Sequence, residues 1–209
     1  FTHLHIDHTA DYKYFIYTTW NCGRKKLLKV YGPGSTEVIT GTKEMTEIIL
    51  NEERKIMKMY NEKYVSPKVP VSNRPPLEYP MELKEIGEGR IFQGNKFSVT
   101  SRWVEHYNKW GIPSLGYRVD SEDGSVAISG DTNYCQAMVD LANNVDVLIH
   151  ECTFPDEIIK QRDMKSHSGP TTAGKVAQEA GAKKLILTHL GPYTSQEKAV
   201  EMASMYYYH

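Results

Sequence analysis

Three histidines and an aspartate crowd the first eight positions, Phe1-Thr2-His3-Leu4-His5-Ile6-Asp7-His8. His3, His5 and Asp7 stand two residues apart, so on an extended segment their side chains point the same way. His8 needs a turn to join them. Imidazole nitrogens and a carboxylate are the ligands expected of zinc and related first-row metals. A lone histidine is more often a surface or hydrogen-bonded core residue, and a polyhistidine tag would lack the interleaved Leu4, Ile6 and Asp7. The grouping therefore predicts a metal centre. Residues of the same types recur further along as His106, Asp131, His150-Glu151, His167 and His189.

Most of these later residues follow an apolar run. Residues 97–100 read as a strand leading towards His106, and 115–119 and 125–129 as a hairpin that reaches Gly130-Asp131. Residues 145–149 end at His150-Glu151 and 184–188 end at His189. If these strands share a direction, their ends converge at one sheet edge, where sites are commonly built. Leu27–Tyr31 also reads as a strand, stopped by Gly32-Pro33-Gly34. Residues 42–64 read as an amphipathic helix that Thr42 can cap, with Met45, Ile48, Ile49, Ile56, Met59 and Tyr60 at helical spacing. Residues 66–80 carry five prolines and read as an extended connection. Helices are expected at 138–142, at 171–180 closed by Gly181, and at 195–205. Tyr12, Tyr14, Phe15, Tyr17 and Trp20 read as core, some of them lining an apolar pocket. Interleaved strands and helices without an internal repeat give an α/β layered domain.

The opening segment resembles the His-x-His-x-Asp-His signature of the metallo-β-lactamase superfamily. The later landmarks follow in matching order: His106, Pro113-Ser114-Leu115-Gly116-Tyr117-Arg118, Ser129-Gly130-Asp131-Thr132, Leu148-Ile149-His150-Glu151, His167-Ser168 and Leu187-Thr188-His189. Together they are similar to the ribonuclease Z and arylsulfatase-like branch. The resemblance implies a four-layer αββα sandwich, expected to lack its N-terminal strands in this chain. It also implies one metallo-hydrolase domain over 1–209, with 42–80 as a helical and proline-rich insertion. His3, His5 and His106 resemble the ligands of a first metal, and Asp7, His8 and His189 those of a second, with Asp131 bridging both. A bridging carboxylate holds two cations roughly 3.5–4 Å apart, and such a pair brings the pKa of a shared water towards neutrality. The cations are expected to be divalent, zinc first, with manganese or iron as alternatives. His150 is a candidate proton donor oriented by Glu151, Asp7 a candidate for proton transfer, and His167 a candidate substrate contact. Each of these also has a bland reading as a group that shapes the site without catalysing.

The implied reaction is hydrolysis of an ester-type bond, a phosphodiester first. The alternatives are a carboxylic ester, lactone, sulfate ester or β-lactam, or a non-catalytic binding role, which the filled set of seven ligand positions disfavours. The sequence holds 25 Lys+Arg against 26 Asp+Glu, a net charge of −1. That balance gives no whole-molecule attraction for nucleic acid or an anionic membrane. No Gly- and Lys-rich inserted arm of the sort that grips transfer RNA is present, so the expected substrate is a small-molecule or nucleotide-like ester, with transfer RNA not favoured. Three dispersed cysteines form no Cys-x-x-Cys pair, and no apolar run approaches a membrane span. A cytoplasmic homo-oligomer is expected. The chain opens on Phe1 inside the motif, so a preceding segment is expected to exist.

Overall fold

The computed structural model describes residues 1–63 and 81–208. The proline-rich connection expected at 66–80 lies outside the described residues. The chain divides into two compact units, one of Phe1 and His3–Glu85, the other of Thr2 and Ile86–His209.

The first unit contains α1 (Ile6–Thr9), α2 (Tyr12–Asn21), β1 (Leu28–Gly32), α3 (Thr42–Lys63) and β2 (Met81–Glu85). β1 and β2 run parallel, with Leu28 opposite Met81 and Gly32 opposite Glu85. Tyr12, Ile16, Trp20, Val30 and Leu50 form its core. Burying an aliphatic side chain of this size contributes roughly 1.5–3 kcal/mol. The aromatic run after the opening motif is the helix α2. Tyr12, Ile16 and Trp20 recur every four residues and face inward, whereas Tyr14, Phe15 and Tyr17 are exposed rather than core. In α3 the inward row is Thr42, Thr46, Leu50 and Glu53, while Ile48 and Ile56 face outward. Thr42 does not cap α3 through its hydroxyl, which donates to the Pro33 carbonyl at 2.9 Å. The Glu85 carboxylate instead accepts from Lys43 N at 3.3 Å, placing an anion at the helix start.

The second unit is a six-stranded sheet in the order β3 (Gly89–Gln93), β4 (Phe97–Tyr107), β5 (Ile112–Ser121), β6 (Gly124–Ile128), β7 (Val147–Glu151) and β8 (Leu185–Thr188). β5 is antiparallel to β4 and to β6, while β6, β7 and β8 are parallel. β4, β6, β7 and β8 therefore all point one way. Helices α4 (Gln136–Leu141), α5 (Asp156–Gln161), α6 (Pro170–Ala180) and α7 (Gln196–Ser204) complete the unit. Val104, Ala127, Leu148, Met138, Leu141, Val176 and Ala177 belong to one core shared by the sheet, α4 and α6. Pro170 at the start of α6 gives up no needed N–H, and Gly181 closes that helix with φ +64°. β7 lies two residues later than its apolar run suggests, so His150 and Glu151 sit within the strand.

Candidate functional site

In the first unit the chain is extended at His5 and then turns into α1. His8 N donates to the His5 carbonyl at 3.1 Å. That turn folds His8 back on the motif, so the His3 and His8 rings lie 4.1 Å apart between centroids. His3 Nε2 stands 3.0 Å from His5 Nδ1, and Asp7 Oδ2 stands 3.4 Å from His8 Nε2. Two nitrogens on one tetrahedral zinc, each at 2.0–2.1 Å, are about 3.3 Å apart. The His3–His5 spacing is within a few tenths of an ångström of that edge. His3 is fully buried and Asp7 is exposed. Beside Asp7 and His8, Tyr12, Phe15, Leu28 and Val30 line a cavity of about 480 Å³.

In the second unit His106 stands next to last in β4 and Glu151 ends β7, while Asp131 and His189 lie in the loops that follow β6 and β8. A β-bulge sets His106: Glu105 and His106 together oppose the single Pro113. Proline has no N–H for the ladder, which favours an irregularity there. The loop after β6 satisfies the bulge, with Asn133 N donating to the Glu105 carbonyl at 2.7 Å and Glu105 N to Thr132 Oγ1 at 3.0 Å. The same loop carries Asp131, which is buried, with Oδ2 3.7 Å from His189 Nε2 and 3.8 Å from His167 Nδ1.

Glu151 accepts four donors: Thr132 N (2.8 Å) and His167 Nδ1 (3.0 Å) on one oxygen, Thr153 N (3.2 Å) and Thr153 Oγ1 (2.6 Å) on the other. A carboxylate oxygen here only accepts, so the single Thr153 hydroxyl proton goes to Glu151. His189 Nδ1, 2.7 Å from the same hydroxyl, must then donate to it. His167 Nδ1 donates to Glu151, and His106 Nδ1 donates to the Ser166 carbonyl at 2.6 Å. All three imidazoles thus carry a proton on Nδ1 and turn Nε2 away from these partners; in the neutral ring that leaves the lone pair on Nε2, the arrangement that second partners impose on metal-binding histidines. Glu151, His167 and His189 bring one donor atom each within 4.8 Å of one another. His189 holds φ +56°, an uncommon conformation outside glycine.

The structure does not join the His150 ring to the Glu151 carboxylate. Neighbours on a strand face opposite sides. His150 is fully buried, its Nδ1 donates to the Glu151 carbonyl at 2.8 Å, and its Nε2 has no hydrogen-bond partner among the described residues. Burial pushes its pKa down. The sequence reading missed Thr153, the Ser166 carbonyl and the Thr132–Asn133 loop. Thr132 stands in the Asp131 landmark and Thr153 two residues after Glu151, so both had a signal, whereas the Ser166 carbonyl had none.

Residues 1–190 match the family described as Beta-lactamase superfamily domain. The chain belongs to the metallo-β-lactamase superfamily, has that fold, and is a metal-dependent hydrolase of that class, which implies divalent metal ions. Within the superfamily it is similar to Ribonuclease Z of Bacillus licheniformis, at 30% identity over 96% of this chain and 72% of that relative. Among solved structures it resembles the metallo-beta-lactamase fold protein YhfI of Bacillus subtilis (TM-score 0.66, 18% identity, 99% of this chain and 69% of the other). It also resembles the short form of human tRNase Z (TM-score 0.59, 24% identity, 91% and 71%).

Proposed function

We propose that this chain hydrolyses phosphodiesters in nucleotide-like substrates, and that His3, His5, Asp7, His8, His106, Asp131 and His189 supply the ligands of two divalent metals, zinc foremost. The donor set of imidazoles and carboxylates suits zinc, and the fixed Nε2 lone pairs of His106 and His189 favour ligation. On this reading residues 1–209 act as one metallo-hydrolase domain. Bound there, two such metals supply an activated water at neutral pH and offset charge on the attacked phosphoryl group.

The observation that carries the proposal is the Glu151–His167 pair, 3.0 Å apart. Glu151 holds the Nδ1 proton of His167 and so directs its Nε2 outward. With that nitrogen protonated, His167 gives a proton to the departing oxygen, while Glu151 stabilises the imidazolium. This supports His167 as the proton donor, with His150 filling the opposite face of β7. Thr132 and Thr153 keep Glu151 from turning.

Chromogenic phosphodiester, sulfate ester, lactone and β-lactam substrates, together with a precursor transfer RNA, test the reading on protein purified without chelator. The relatives' names speak of RNA, while the near-neutral charge weakens a transfer-RNA grip. Methyl p-nitrophenyl phosphate should turn over; turnover of carboxyl-type substrates alone would sink the phosphodiester assignment. Asp131→Ala should cut kcat/KM by about a hundredfold or more and lower the bound metal. Full activity in that variant overturns the two-metal scheme. The cysteines form no disulfide among the described residues, which supports a cytoplasmic setting.

A further inference from the structure

In the second unit, a cleft of about 380 Å³ opens beside His106, lined by Tyr107, Lys109, Trp110, Arg162 and Lys165 among others. The Tyr107 and Trp110 rings stack at 4.9 Å and 23°. Trp110 is 59% exposed although it is the largest apolar group there. A flat indole, backed by a second ring and covered elsewhere by a flexible lysine that can swing aside, is a platform on which a nucleobase can stack. Surface aromatic pairs also occur as plain packing, so the surrounding charge decides. Lys109 Nζ lies 5.3 Å over the indole, Lys165 is paired with Asp163 at 3.1 Å, and Arg162 makes no ion pair among the described residues. Three cations against one carboxylate make this cleft basic in a chain of net charge −1. The planar guanidinium of Arg162 suits phosphate oxygens. Location adds a further argument. The Tyr107 ring is 4.4 Å from the His106 ring and 6.2 Å from that of His167, so the platform begins where the hydrolytic groups end.

We propose that this cleft is a nucleotide subsite: a base stacks on the indole of Trp110, which Tyr107 backs, taking the place of the Lys109 ammonium on that face, while its phosphate is held by Arg162. The proposal deepens the phosphodiesterase reading and rests on it for the role of the subsite, although binding can be measured without turnover.

Calorimetric titration of the metal-loaded protein with adenosine 5′-monophosphate and with ribose 5-phosphate separates the base from the phosphate. The nucleotide should bind about tenfold tighter. Trp110→Ala should erase that preference and Trp110→Tyr should retain most of it, while Arg162→Ala should weaken both ligands alike. A preference that survives Trp110→Ala, or equal binding of the two ligands to the wild type, overturns the subsite. Thermal unfolding of each variant confirms that the fold is kept. Turnover of methyl p-nitrophenyl phosphate is followed separately. No turnover with an intact nucleotide preference removes the hydrolytic reading and leaves the subsite standing. Turnover without that preference removes the subsite alone.

Discussion

The two units present donor groups in opposite ways. In the first, four candidate ligands lie within six residues, and their rings meet one another, His3 against His5 and His3 against His8. In the second, His106, Asp131 and His189 come from β4 and from the loops after β6 and β8, and these two imidazoles and that of His167 are each oriented by a different kind of group. His106 uses a main-chain carbonyl and His189 a hydroxyl, while His167 uses a carboxylate. The short motif needs only one helical turn to gather its donors. The dispersed set needs a sheet of common strand direction and a layer of polar partners behind it.

The sharpest way to break this contrast is to neutralise the hub of that layer. Glu151→Gln keeps size and burial but removes the charge that holds the His167 proton. Turnover should fall by about 10²–10⁴, with metal content held within error by elemental analysis. Loss of metal in step with activity would instead mean that Glu151 serves the ligands rather than the proton.

A smaller effect is expected at Thr153, which links Glu151 to His189. Thr153→Val removes the hydroxyl that fixes the His189 tautomer, and the metal proposed to bind His189 should be held about 10–100-fold less tightly in a competition titration with a chelator. Thr153→Ser should restore affinity. Equal affinity in the valine variant would show that the main chain alone holds His189.

The smallest effect concerns stability. Burial lowers the pKa of His150 from an ordinary 6.5. The unfolded chain takes up a proton there as pH falls through that value, and the folded chain resists it. Stability should therefore decline on acidification from pH 7 to 5, and His150→Leu should flatten that slope. Chemical denaturation of metal-free protein measures the difference between the two. Identical slopes would mean that other groups carry the acid sensitivity.

Much of this was legible in the sequence because local spacing encoded it. The opening motif, the hairpin of β5 and β6, and the strand ends at Asp131 and His189 all follow from apolar runs and their punctuation. The pairing of β1 with β2 was not legible, since about fifty residues separate the partners and neither advertises the other. β3 and α5 are short and carry few buried side chains, so periodicity says little about them. The helix after the motif was hidden by aromatic density, because exposed Tyr14, Phe15 and Tyr17 blur the four-residue rhythm of Tyr12, Ile16 and Trp20. Reading His150 and Glu151 as one catalytic pair overlooked strand alternation, which sends adjacent side chains to opposite faces. The carboxylate's partner, His167, arrives from a loop sixteen residues away.

The bulge opposite Pro113 carries a lesson for anyone re-engineering this scaffold. One surplus residue separates the phase of the lower part of β4, which packs the interior, from that of its upper end. Trimming it would leave a smoother ladder and turn position 106 to the wrong side of the sheet. An idealised version of this strand would be tidier as architecture and blind as a receptor. Grafts of the site onto other sheets should therefore carry the irregularity, with its Thr132–Asn133 clasp, as a single part.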